Sequence, residues 1–230
     1  NAYAQGGDLI IRSDDDTTTE RVRADDGDVY VEIFDGTLEV NTEGVYAGGG
    51  GEIKLTTTGD DEEILINADV VAEAGPITVD AEWDVDLDET AEIRVINSDS
   101  HHTNISIKAG DDIRLDGSVI TETSTVFLEA GDEITDVSDS DTRIVANTLT
   151  ILGAEQVGEY DVANPTNPDN NWLDTEVEEL NIFGNDDTSV GRGDVSINEQ
   201  DDIYLRDVEL LAGIGSRFSV VTGDDTDEGT

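Results

Sequence analysis

Apolar and polar residues alternate along this chain in short runs, and a Gly or Asp opens each run. The pattern reads Gly27-Asp28-Val29-Tyr30-Val31, Gly36-Thr37-Leu38-Glu39-Val40 and Gly51-Glu52-Ile53-Lys54-Leu55. It returns at Gly75-Pro76-Ile77-Thr78-Val79, Asp111-Asp112-Ile113-Arg114-Leu115, Gly193-Asp194-Val195-Ser196-Ile197 and Asp201-Asp202-Ile203-Tyr204-Leu205. Side chains alternate between the two faces of a strand, so each run has one apolar and one polar face. Val29, Ile53 and Ile77 follow one another at steps of roughly 24 residues. A turn-plus-strand unit repeating every ~20–24 residues predicts a solenoid, in which each unit buries its apolar face against its neighbours.

Strands are expected from Leu9–Arg12 through Ile53–Thr57 and Ile113–Leu115 to Phe218–Val221, cut by the Gly, Asp, Asn, Ser and Thr that turns require. Helical periodicity is nearly absent. Its best stretch, Asp174 to Leu180, is too short to stand alone. The expected fold is all-β: a right-handed parallel β-helix with coils of roughly 20–24 residues. An array of β-sandwich domains is the alternative. Three features favour the β-helix. The period is coil-like, Asn-Gly hairpin turns are missing, and small and β-branched residues dominate the apolar set. Residues 1-146 read as solenoid coils. Residues 147-230 read as their continuation, with a longer Pro/Asn-containing loop near 158-172.

Charge narrows the partners. The 230 residues carry 57 acidic and 11 basic side chains, a formal net charge of −46. Nucleic acid and anionic membrane surfaces would be repelled. Bound cations, cationic partners or a saline medium are favoured. The chain has no cysteine, so neither disulfides nor thiol chemistry are available. It also lacks methionine, which reads as a processed product or a segment of something longer. No apolar run approaches the ~20 residues that a membrane span needs.

The stretch from Asn147 carries a resemblance. It reads Asn147-Thr148-Leu149-Thr150-Ile151-Leu152-Gly153, then Asn164-Pro165 and Asn167-Pro168, then Leu173-Asp174-Thr175-Glu176-Val177 and Leu180, then Gly193-Asp194-Val195-Ser196-Ile197-Asn198-Glu199. This order resembles the repeats of giant secreted β-solenoid proteins of the filamentous haemagglutinin adhesin type. Asp169-Asn170-Asn171-Trp172 is an insertion relative to that pattern, and the likeness covers about a third of the chain. It implies a secreted or surface-bound right-handed β-helix used for adhesion or for building an extracellular structure, and no catalytic residues.

Candidate chemistry is sparse. Asp84, Asp86 and Asp88 share one face of an expected strand, while Val85 and Leu87 take the other. Adjacent carboxylates repel unless a cation lies between them, so this row is the candidate Ca²⁺ site. The acidic turns Asp14-Asp15-Asp16, Asp60-Asp61-Glu62-Glu63, Asp186-Asp187 and Asp224-Asp225 are weaker candidates. Lys108, Asp111, Asp112 and Arg114 are the best hint of a polysaccharide groove. His101-His102, Arg192-Gly193-Asp194 and the sequon Asn104-Ile105-Ser106 fit exposed turns and strand entries. No Ser-His-Asp arrangement is available. The expected protein is not an enzyme. It is a structural or adhesive segment at the cell surface or outside the cell, partnered by copies of itself, by adjoining segments of the same chain, or by surface polysaccharide; the alternatives are a polysaccharide-binding or polysaccharide-cleaving β-helix and a calcium-loaded extracellular matrix or sheath scaffold.

Overall fold

The computed structural model describes residues 1–97, 103–136, 144–158, 172–183, 194–199, 203–209 and 218–222, and these are strand and turn without helix. Strands pair with their equivalents one coil earlier and one coil later, and each pairing is parallel. The chain is a parallel β-solenoid with coils of about 24 residues. An array of β-sandwiches would require antiparallel neighbours and is excluded.

Each coil has three faces. The first face holds Leu9–Ser13, Val29–Ile33, Ile53–Thr57, Ile77–Ala81 and Ile105–Ala109. The second holds Thr17–Thr19, Leu38–Val40, Ile64–Ile66, Val85–Leu87 and Ile113–Leu115. The third holds Ala2–Ala4, Val22–Ala24, Val45–Ala47, Val70–Ala72 and Glu92–Val95. Further on, Ser118–Glu129, Ile144–Leu152 and Leu173–Phe183 each run from the third face into the first as one continuous strand.

The core is a set of columns. Leu9, Val29, Ile53, Ile77, Ile105, Val126, Leu149 and Leu180 stand in register, one per coil. From Val29 onward they are buried. Burying such a side chain contributes ~1.5–3 kcal/mol, which offsets the ~1–2 kcal/mol of backbone entropy lost per ordered residue. The third face is narrower. Its inward pairs are Val22 and Ala24, Val45 and Ala47, and Val70 and Ala72, all buried and in register. At the corner before the first face, Gly27, Gly51 and Gly75 also form a column. The carbonyl of Gly27 fills the space a Cβ on Gly51 would take, and that of Gly51 does the same at Gly75.

The segment Asp174 to Leu180 lies inside the strand Leu173–Phe183. Leu173, Thr175, Val177 and Leu180 are buried, and Thr175 to Phe183 pair with Ile144 to Leu152. A full ladder on the preceding coil outweighs two turns of isolated helix, which cannot meet their nucleation cost. Coil length varies, and the register shifts at only two places among the described pairings, between Thr121 and Thr125 and between Leu180 and Asn181. Equivalent corner residues are 20 apart for Asp8 and Asp28, 24 for Asp28 and Glu52, 28 for Asp84 and Asp112, and 31 for Asn147 and Glu178. Most of the loop expected near 158-172 lies outside the described residues.

Ile77→Ala is expected to destabilise by about 2–5 kcal/mol, because it leaves a cavity between two coils. Thr78→Ala, one position along on the outer side of the same strand, is expected to cost no more than ~0.5 kcal/mol. Urea unfolding of the two variants measures the contrast.

Candidate functional site

Asp8, Asp16, Asp28, Asp69, Asp84 and Asp112 have a common task at the corners. The side chain of one coil accepts the backbone N–H of its equivalent one coil later. The Asp28 N–H donates to Asp8 Oδ1 at 3.3 Å, and the Glu52 N–H donates to Asp28 Oδ1 at 2.9 Å. The Thr37 N–H reaches Asp16 Oδ1 at 3.0 Å, and the Glu92 N–H reaches Asp69 Oδ1 at 3.1 Å. Asp112 N–H donates to Asp84 Oδ1 at 3.0 Å, and Glu133 N–H to Asp112 Oδ1 at 3.1 Å. Asn104 fills such a place. Its Oδ1 accepts from Ser124 Oγ at 2.7 Å and from the Thr125 N–H at 3.4 Å. The sequon asparagine is thus a coil-to-coil linker. Backbone N–H groups leaving the sheet at a corner need an acceptor, and a charge-assisted one is the stronger kind.

The densest polar cluster lies at and just after the corner between the first and second faces. Arg114 stands beside Asp86 in the parallel register of Val85–Leu87 with Ile113–Leu115. Its Nη1 donates to Asp84 Oδ2 at 2.8 Å and to Asp86 Oδ1 at 3.2 Å. Its Nη2 donates to Asp112 Oδ2 at 2.6 Å. Three carboxylates from two coils therefore converge on one guanidinium. Asp84 is buried, with a side chain only 9% exposed, whereas that of Arg114 is 37% exposed. Partial burial pulls the Arg114 guanidinium down. The hydrogen bond to Asp84 and the fields of Asp84, Asp86 and Asp112 outweigh it and push the group further above its usual range.

Burial first, and neighbouring carboxylates second, raise the remaining acids around the cluster. Asp86 is raised by burial first, with Asp84 and Asp112 adding to the rise and Arg114 opposing it. Glu63 is raised by burial and then by Asp86 and Asp84. Asp111 is raised by burial and then by Asp112, Asp84 and Asp132.

Of the row expected to bind Ca²⁺, Asp84 and Asp86 meet at Arg114. Asp88 instead accepts from the Thr90 N–H at 3.0 Å and from Thr90 Oγ1 at 2.8 Å, closing the turn that leaves the strand. The carboxylates that gather are Asp84, Asp111 and Asp112, with one oxygen of each within 4.8 Å of the others. Sequence reasoning had singled out all of these residues, but in two separate sets. What joins them is the 28-residue coil between Asp84 and Asp112, longer than the period read from Val29, Ile53 and Ile77. Lys108 is elsewhere, on the first face, paired with Glu129 at 3.2 Å. Trp83 is exposed beside the cluster, and its carbonyl accepts the Asp111 N–H at 3.0 Å.

Both oxygens of Asp84 and both of Asp112 are engaged, one by a backbone N–H and the other by Arg114. A hard cation prefers several oxygen ligands at ~2.3–2.6 Å, and here the guanidinium already supplies positive charge to most of them. Chemically, the arrangement is a clamp between coils. Among the other candidates, Asp16 serves as a corner acceptor, and the Gly49 N–H in the Gly48-Gly51 turn donates to Glu73 Oε2 at 2.8 Å. His101-His102, Asp186-Asp187, Asp224-Asp225 and Arg192-Gly193 lie outside the described residues. Comparison with protein-family models, curated proteins and solved structures gives no match. The class defined by the structure is a parallel β-solenoid whose corners are held by acidic side chains.

Arg114→Ala leaves the buried Asp84 charge uncompensated and is expected to cost about 2–3 kcal/mol, less than a fully buried pair because Arg114 is partly solvated. Asp84→Asn in that background is expected to restore part of the loss. Arg12→Ala breaks an exposed pair with Glu32 and is expected to cost under ~0.5 kcal/mol. Chemical denaturation checks all three.

The raised carboxylates also fix a pH dependence. At Glu63, Asp86 and Asp111 the folded state holds protons more tightly than the unfolded chain does. Stability therefore falls as pH rises through the window above the ordinary carboxylate range of about 4. The thermal midpoint is expected to rise as pH is lowered from neutrality toward that range, and Asp111→Asn is expected to flatten that rise. A midpoint that drops steadily across this window would contradict the assignment.

Proposed function

We propose that this chain is a non-enzymatic structural segment of a long extracellular β-solenoid. It is an acid-coated rod that adjoins further coils of its own kind at the cell surface or in an extracellular fibre. The observation that carries this reading is the use made of the polar groups. The corner carboxylates and Arg114 spend their hydrogen-bonding capacity on tying one coil to the next. An active site needs an acid, base or nucleophile held ready for a substrate, and in this cluster the strongest donors and acceptors face each other. The absence of cysteine and the −46 charge suit a cross-link-free, strongly hydrated surface. The likeness of the stretch from Asn147 to about Asp224 to haemagglutinin-type repeats supports an adhesive or fibre-building role.

Two measurements test it. Electron micrographs of the native material are expected to show thin rods or fibres, and assays on neutral and acidic polysaccharides are expected to show no turnover. Polysaccharide cleavage abolished by Asp112→Asn or Arg114→Ala would replace this reading with an enzymatic one.

The grouping of Asp84, Asp111 and Asp112 favours one second reading, a calcium-loaded matrix scaffold. It requires millimolar CaCl₂ to raise the thermal midpoint beyond NaCl of matched ionic strength, with the excess lost in Asp111→Asn. Equal effects of the two salts would leave screening alone.

A further inference from the structure

Exposed aromatic rings are scarce on this acid-coated rod. Among residues 20–97 the exposed large hydrophobic side chains are Phe34, Trp83 and Ile96. Phe34 and Trp83 are 40% and 41% exposed, and both stand at the corner between the first and second faces. Phe34 follows the strand Val29–Ile33, and Trp83 precedes Val85–Leu87 two coils further on. A single turn lies between them. The Thr58 N–H donates to the Ile33 carbonyl at 2.9 Å, and a Cβ on Gly59 would lie 3.1 Å from the Phe34 carbonyl oxygen. On the other side of that turn, the Trp83 N–H donates to the Glu62 carbonyl at 3.0 Å. The two aromatic residues are thus two strand spacings apart, about 10 Å along the rod.

The polar surround is one-sided. Asp35, Asp60, Asp61, Glu62 and Glu82 lie on these turns, and Asp111 lies on the next, its N–H bonded to the Trp83 carbonyl. Ionised carboxylates only accept hydrogen bonds. The guanidinium at this corner, that of Arg114, is already shared by Asp84, Asp86 and Asp112. An occupant must therefore bring an apolar face for the rings, many donors for the acids, and no negative charge.

We propose that this corner binds a neutral polysaccharide laid along the rod. The inference rests on the reading of the chain as an adhesive surface rod and deepens it by naming what the rod adheres to. A sugar ring has the required combination. Its C–H face packs on an aromatic ring, and its hydroxyls donate to carboxylates. In an extended glycan the sugars follow one another at nearly the spacing of the coils, so rings stacked on Phe34 and Trp83 are two sugars apart. An acidic polysaccharide would be repelled by the surrounding carboxylates. A lipid or apolar peptide needs a contiguous apolar patch, and the turn between the two rings is polar. A basic peptide would find acids on any side of the rod. The paired rings are what single out this corner.

The test uses the full chain. It has two tryptophans, and Trp172 is only 5% exposed, so the solvent-exposed indole is that of Trp83. Linear neutral hexasaccharides of glucose, mannose and N-acetylglucosamine, and hexalysine, are titrated in 0.15 and 2 M NaCl. At least one hexasaccharide is expected to shift the Trp83 emission to the blue, saturably and equally at both salt concentrations. By calorimetry, Phe34→Ala and Trp83→Ala are each expected to weaken that binding about tenfold at an unchanged melting midpoint. Trp83→Phe is expected to retain part of it, and Ile96→Ala, away from this corner, to leave it unaltered. A saturable response to none of the three sugars overturns the proposal, as does sugar binding undiminished by Phe34→Ala and Trp83→Ala. A response to hexalysine alone, abolished in 2 M NaCl, overturns it in favour of a basic peptide. None of these outcomes touches the structural reading, which falls on polysaccharide turnover.

Discussion

Successive coils of this solenoid lie one strand spacing apart, about 4.8 Å, so each side chain sits beside its own equivalent one coil away. That spacing decides which residues each column admits. Inward columns take Val, Ile, Leu and Ala, which stack on themselves without leaving gaps, as at Val29, Ile53, Ile77 and Ile105. Corner columns take Gly where a carbonyl of the adjacent coil approaches the backbone. They take Asp, Glu or Asn where a backbone N–H needs an acceptor. The solenoid changes coil length from 20 to 31 residues while strand-to-strand pairing continues from coil to coil.

The same spacing makes the acidic surface costly to the fold that it serves. A carboxylate that accepts an N–H from the next coil stands close to the carboxylate of that coil. Asp84 and Asp112 are such neighbours, and Asp8, Asp28 and Glu52 are three in succession. Along the first faces the repulsion is relieved by pairs such as Arg12 with Glu32 and Lys108 with Glu129, which are exposed and worth little each. At Arg114 it is relieved by one guanidinium shared among three acids. The chain has only 11 basic residues to distribute, so most of its surface charge must be met by solvent ions. This ties the stability of the rod to the ionic medium.

The part of the fold legible in the sequence was mainly the first two faces. Their strands carry two or three inward Ile, Leu or Val residues after a Gly or Asp, and the step from Val29 to Ile53 to Ile77 is the true register. On the third face Ile93–Ile96 and Ile144–Ala146 were legible, whereas the earlier strands were passed over because an inward position is Ala. The signal was nevertheless present in Val22-Arg23-Ala24, Val45-Tyr46-Ala47 and Val70-Val71-Ala72. At the candidate site, local alternation placed Asp84 and Asp86 on a common face. It could not place Arg114 against them, because that contact depends on a coil longer than the average. Asp88 left the row because strand geometry ends at Leu87, and its carboxylate is used by Thr90.

The central claim is that corner carboxylates hold the next coil through its backbone N–H. Amide hydrogen exchange, followed residue by residue in the intact chain, tests it most directly. The N–H groups of Glu52, Asp112 and Glu133 are expected to exchange slowly although their residues lie at corners, and Asp84→Ala is expected to accelerate Asp112 selectively. Exchange of these amides at the rate of an open turn, or an Asp112 rate indifferent to the loss of Asp84, would contradict the account.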